Sequence, residues 1–198
     1  MSFGQHRTQL FLCALVGALL FAFLLSMSSG QYDIPMEAVV ASFAHAAGLP
    51  ILPNVVVTPE QEAVLWHIRL PRTLVGMMVG AGLGVSGAVL QGIFSNPLAD
   101  PGIIGVSSGA SVGAVLAIGI GVTAGSVLSL PAFAFAGSML AVSLTVSLSM
   151  RHGRIPVMTL LLSGVVVGMF LAACTATILT VMNEKKMQQY HFWSIGGL

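Results

Sequence analysis

Five apolar stretches, each closed by charged, proline or polar residues, organise this chain: 9–28, 71–93, 103–122, 129–150 and 157–182. A helix rises about 1.5 Å per residue, so about 20 apolar residues cross a hydrocarbon core of about 30 Å. The pattern therefore predicts an all-α, polytopic membrane helix bundle with about five transmembrane helices. The first stretch follows Arg7 and is as long as the upper limit of a signal peptide; it is read as an uncleaved span, with cleavage near Ser28 as the alternative. Residues 29–70 form the long connection. Their segment PMEAVVASFAHAA, 35–47, predicts a short amphipathic helix lying on the membrane surface and ended by Pro50 and Pro53.

Inside the second and third stretches glycine recurs every fourth residue. Gly76, Gly80 and Gly84 continue into Ala88 and Gly92, and Gly105, Gly109 and Gly113 continue into Ala117 and Gly121. Rows of small residues let helix backbones approach closely in lipid. Without that packing, each interior glycine would cost about 1 kcal/mol relative to alanine. Both rows are accordingly expected to pack against neighbouring helices. The fifth stretch carries a similar series in Ser163, Gly164, Gly168, Ala172, Ala173 and Ala176.

Composition fits a lipid-embedded chain. Hydrophobic residues make up 56% of the 198 and charged residues 7%, against about 25% charged in soluble domains. A net charge of +1 from seven basic and six acidic residues forms no footprint for nucleic acid. Cys13 and Cys174 lie within apolar runs and match no metal motif, so neither a metal nor a cofactor is expected. With Arg7, Arg151 and Arg154 on one side and Arg69, Arg72, Lys185 and Lys186 on the other, charge alone leaves the orientation open.

Two motifs invite a hydrolase reading: Gly84-Val85-Ser86-Gly87, and Gly105-Val106-Ser107-Ser108-Gly109. A serine nucleophile needs a base within hydrogen-bond reach, and His6, His45, His67, His152 and His191 all lie outside the five spans. Chance matches are expected where small residues are so frequent, so the chain is not expected to be an enzyme. There is no phosphate-binding G-x-x-x-x-G-K-[ST] loop, which leaves any ATP to a partner. The spans hold essentially no ionisable residues, which weighs against an ion-coupled secondary transporter, the alternative from another class. Arg69 and Arg72 flank Leu70-Pro71 at the mouth of the second span; by residue type alone they snorkel to headgroups. The Asn96-Pro97-Leu98-Ala99-Asp100-Pro101-Gly102 connection has two prolines and reads as a stiff turn. His191, between Tyr190 and Phe192, reads as interfacial rather than as a haem ligand.

The run RLPR at 69–72, followed by VGAGLGVSGAVLQGIFSNPLADPGIIGVSSGASVGAVLAI at 79–118, closely resembles the FecCD-type permease subunits of ABC importers for iron-siderophore complexes, haem and vitamin B12. The likeness is strongest over 66–118 and is supported by FWSIGGL at 192–198. It implies that residues 1–198 are a partial transmembrane permease domain, the first half of a ten-span type II importer subunit in a bacterial inner membrane, with its N-terminus inside. The implied partners are a second permease subunit, identical or not, a cytoplasmic ATP-binding cassette ATPase and a periplasmic substrate-binding protein. The implied mechanism is alternating access, with substrate passing from the binding protein to the cytoplasm. By the same resemblance Arg69 and Arg72 dock the binding protein, Asn96, Pro97 and Leu98 form the cytoplasmic gate, and Ser163, Gly164, Gly168 and Ala172 line the translocation path. The chain departs from the family pattern in length, so a missing second half and an inactive truncated fragment are also expected readings. Small apolar residues along the path leave siderophore, haem and corrinoid undistinguished.

Overall fold

The computed structural model describes residues 2–49, 52, 54–97, 99–151 and 153–196. Among these it contains eight α-helices, and the sole strand-like pairing is an isolated bridge between Arg151 and Arg154. Four helical stretches are long and apolar enough to cross a membrane: His6–Ser28 within α1 (Ser2–Ser28), the run Pro59–Phe94 that ends in α4 (Leu70–Phe94), α6 (Ser129–Ser149) and α7 (Val157–Thr180). These correspond to four of the five expected spans. The remaining one is shorter than expected. Gly105 (φ 87°) and Gly121 (φ 82°) adopt left-handed backbone that a helix interior does not accept, so α5 runs only from Val106 to Ile120. Fifteen residues rise about 22 Å, short of a hydrocarbon core. One-turn 3-10 segments at Pro101–Ile104 and Val122–Ala124 extend it at either end.

Contacts divide the chain into two compact units, with the boundary inside α4: one through Gly80, the other from Ala81 to Gly197. In the first, α2 (Met36–Ala46) forms where the amphipathic helix was expected, but it does not simply lie on a surface. It buries Ala38, Val39, Ala41, Ser42 and Ala44, and its apolar side joins a core with Met27, Ile34 and Leu65. Phe43 sits between Phe23 and Trp66, with ring centroids 6.1 and 5.2 Å away, and Trp66 Nε1 donates to Ser42 Oγ at 3.0 Å. The helix ends at Ala46, before the left-handed Gly48 (φ 70°); Pro50 and Pro53 lie outside the described residues.

The chain re-enters helix at α3 (Pro59–Val64), which a capping box starts. Thr58 Oγ1 accepts from the Gln61 N–H at 3.3 Å, and Gln61 Oε1 accepts from the Thr58 N–H at 3.1 Å. A π-turn over Leu65–Arg69 joins α3 to α4.

In the second unit α5 packs against α6, α7 and α8 (Glu184–Ile195). The α5–α6 crossing is backbone against backbone. A Cβ on Gly109 would stand 2.5 Å from the Gly137 carbonyl oxygen, and one on Gly113 would overlap the Phe133 carbonyl. Hydroxyls of α6 reach the start of α5: Ser138 Oγ donates to Val106 O at 3.0 Å and Thr145 Oγ1 to Ile104 O at 3.1 Å. On α7, Gly164 lies against the backbone of Ile103 and Ile104. Asn183 caps α8 by accepting from the Lys186 N–H at 3.0 Å, while Lys186 Nζ donates to Gly119 O at 2.7 Å, near the end of α5.

Candidate functional site

The two arginines that the sequence pairs have different surroundings. Arg69 ends the π-turn and is 8% exposed. Its Nη1 donates to Met27 O at 2.5 Å and Ser28 O at 2.7 Å, and its Nη2 donates to Tyr32 O. Met27 and Ser28 are the last residues of α1, where carbonyls lack partners within the helix and the helix dipole is negative. A fork of guanidinium N–H donors suits such a site. Gly30 leaves room for it: a Cβ there would stand 2.6 Å from Nη2. Arg69 is therefore spent on fastening the end of α1 to the start of α4. Arg72 is exposed.

The connection after α4 is a tight turn. Ser95 takes a left-handed conformation (φ 48°), the Asn96 N–H donates to Gln91 O at 3.2 Å, and the Ala99 N–H donates to Asn96 O at 3.1 Å. Asn96 and Pro97 are exposed, and Leu98 lies outside the described residues. Asp100 Oδ1 accepts from the Gly102 N–H at 2.6 Å and starts the 3-10 turn, with Pro101 at its first position.

The glycine rows separate in the same way. Gly109 and Gly113 make the close approach to α6, while Gly105 sits at the left-handed break before α5 and meets Val167 and Gly164 only at ordinary contact distance. On α4, a Cβ at Gly80 or Gly84 would meet no atom within 4 Å, and Gly76 is half-buried. Of the α7 residues, Gly164 is buried by packing, Ser163 and Gly168 are half-buried, and Ala172 is exposed on a cleft of about 340 Å³ between α5, α7 and α8. Among the described residues no three His, Cys, Asp or Glu side chains gather as metal ligands would.

Four helices long and apolar enough to cross a membrane, which bury at most 22% of their most apolar stretch within the chain, define a multi-pass membrane protein. Residues 18–198 match the FecCD transport family, and the chain belongs to that family. It is 34% identical over 193 residues to the vitamin B12 import system permease protein BtuC of Escherichia coli, covering 98% of this chain and 53% of that one. It is 40% identical over 182 residues to the cobalamin import system permease protein BtuC of Halobacterium salinarum, covering 85% and 48%. A solved metal-chelate type ABC transporter in an inward-facing conformation superposes with a TM-score of 0.72 at 29% identity, over 92% of this chain and 52% of that chain. The chain thus spans about half the length of these relatives. The family is a transport family, and the long apolar helices are those of a chain that crosses a membrane several times.

Proposed function

We propose that this chain forms the first half of the membrane-spanning subunit of an ATP-driven ABC importer, moving an iron chelate, haem or a corrinoid from a periplasmic binding protein to the cytoplasm by alternating access. The observation that carries this reading is the match to a transport family from residue 18 onward, together with a fold shared with a metal-chelate type ABC transporter. The relatives named as vitamin B12 and cobalamin import permeases support a bulky chelate as cargo. No nucleotide loop is present, so the energy enters through a separate ATPase, and a second permease subunit completes the pathway. Arg72, exposed at the start of α4, is the side chain free to meet a carboxylate of the binding protein; Arg69 holds the ground on which it stands. The turn at Asn96 and Pro97, stiffened by proline and by the hydrogen bonds around it, acts at the cytoplasmic gate.

The test is uptake in proteoliposomes containing the permease, its ATPase and its binding protein, with radiolabelled cyanocobalamin, a ferric trihydroxamate and haem offered in turn. ATP-dependent entry of at least one is expected. In the same vesicles Asn96→Cys should change its rate of labelling from the cytoplasmic side when ATP binds. Entry driven by an ion gradient without ATP would favour a secondary transporter, and a constant labelling rate would make the turn an inert connection.

A further inference from the structure

The two sides of α5 differ in chemistry. Towards α6 lies a groove of about 350 Å³ lined by residues such as Val112, Leu116, Phe133 and Leu140, with almost no polar surface. Towards α7 and α8 lies the cleft of about 340 Å³, and hydroxyls line it. Ser107, Ser108 and Ser111 stand at i, i+1 and i+4 on one face of α5. Opposite them α7 presents Ala172, Thr175 and Ala176, at a spacing that again shares one helix face.

Hydroxyls in membrane helices normally turn back to a carbonyl of their own helix. Ser147, Ser149, Thr175 and Thr177 do so here, at 2.5 to 3.1 Å. The hydroxyls of Ser107, Ser108 and Ser111 make no hydrogen bond among the described residues. A Cβ on Gly168 would stand at ordinary contact distance, 3.6 Å, from Ser108 Oγ, so this hydroxyl lies beside α7.

Tyr190 supplies an independent sign. It is 8% exposed, belongs to one buried cluster with Ala114, Val115 and Ile118, and its ring centroid lies 5.9 Å from that of Trp193. Its hydroxyl has no protein partner among the described residues, yet it is not sealed in, because no fully buried side-chain oxygen there lacks a partner. Tyr190 is among the residues that line the cleft. Unpaired hydroxyls facing hydrocarbon would each cost free energy. Facing water or a polar cargo they do not. Among the described residues the lining includes no charged side chain, so a carboxylate there would find O–H donors but no cation to offset its charge.

We propose that this cleft is a wetted, hydrogen-bonding subsite for cargo, in which Ser107, Ser108, Ser111 and Tyr190 contact an uncharged rim of amides, hydroxamates or hydroxyls on a metal chelate. This rests on the transport reading and narrows it: the cargo held here is neutral at its edge rather than a carboxylate-bearing one. Neutral hydrogen bonds are individually weak, which suits a passage that must release what it holds.

The experiment places single cysteines in the assembled permease after Cys13 and Cys174 are replaced by serine. Ser111→Cys should react with a membrane-impermeant, positively charged methanethiosulfonate, and Leu140→Cys, in the apolar groove, should not. Cyanocobalamin or a neutral ferric trihydroxamate, delivered by the binding protein, should slow the Ser111→Cys reaction, and haem should not. In the cysteine-free background, Ser108→Ala with Ser111→Ala should raise KM for the neutral chelate, by about two- to tenfold for each neutral hydrogen bond lost.

A cysteine at 111 as unreactive as the one at 140 would overturn the proposal, because the cleft would then face lipid or another helix. So would reactivity that no chelate slows while uptake proceeds, or protection by haem alone. Absence of any ATP-dependent uptake by the unsubstituted assembly is a different failure. It removes the transport reading and the cargo with it, while the labelling contrast between 111 and 140 still reports whether the cleft is wet.

Discussion

Gly137→Ala should lower the stability of the permease by about 1–3 kcal/mol, towards the upper end of that range, although it adds a single methyl group. The new Cβ would overlap the Gly109 carbonyl and stand 3.0 Å from the Gly113 nitrogen. Both obstacles are backbone, so no side chain can rotate away; α5 and α6 must part. Parting also stretches the Ser138-to-Val106 and Thr145-to-Ile104 hydrogen bonds that join the same two helices. Gly84→Ala is the matched control. No atom lies within 4 Å of the Cβ it introduces, and alanine is the better helix former by about 1 kcal/mol. Reversible unfolding of the purified permease in mixed micelles, followed by circular dichroism against mole fraction of dodecyl sulfate, should show a lower midpoint for Gly137→Ala and an equal or higher one for Gly84→Ala. Equal midpoints for Gly137→Ala and the unsubstituted protein would mean that the helices do not meet there.

That contrast also marks the limit of what the residues reveal. Hydropathy was enough to find the long helices, because hydrocarbon thickness fixes how many apolar residues a span needs. Glycine spacing was not enough to assign roles. The same four-residue rhythm contains glycines that touch a neighbouring backbone (Gly109, Gly113), one that breaks the helix (Gly105) and ones with open space before them (Gly80, Gly84). Spacing shows which residues share a face; it does not show what stands opposite.

Two other elements have legible starts in the sequence. Thr58-Pro59-Glu60-Gln61 carries a capping box with proline at the first helical position, and Asn183-Glu184 is a helix start with an acid in the first turn. The hydroxyl face of α5 could be read as Ser107, Ser108 and Ser111, yet its meaning depended on Tyr190, about 80 residues further on.

Arg69 and Arg72 should fail in different ways when replaced. Sequence distance hid the reason: the three carbonyls that hold Arg69 belong to residues 37 to 42 positions earlier. Arg69→Ala strips a buried site of its donors and leaves the end of α1 with unpaired carbonyls. The expected loss of stability is about 2–4 kcal/mol, since hydrogen bonds to charged groups contribute about 1.5–3 kcal/mol each and do not add fully. The connection at 29–35 should become sensitive to protease, because Ser28 and Tyr32 lose the group that fastens them. Arg69→Lys should recover part of the loss, as an ammonium can donate to the same carbonyls without the planar fork. Gly30→Val should imitate Arg69→Ala with the arginine still present, by occupying the space beside Nη2. Arg72→Glu should leave folding and protease resistance as they are, because the side chain is exposed. Its effect should fall on association with the binding protein, chiefly on the on-rate and its dependence on salt, as expected of a charge at the rim of an interface. If Arg69→Ala instead folds with full stability and loses only binding-protein association, Arg69 is a second docking charge and the clasp on α1 is incidental. Both arginines would then act together, as their spacing alone suggests.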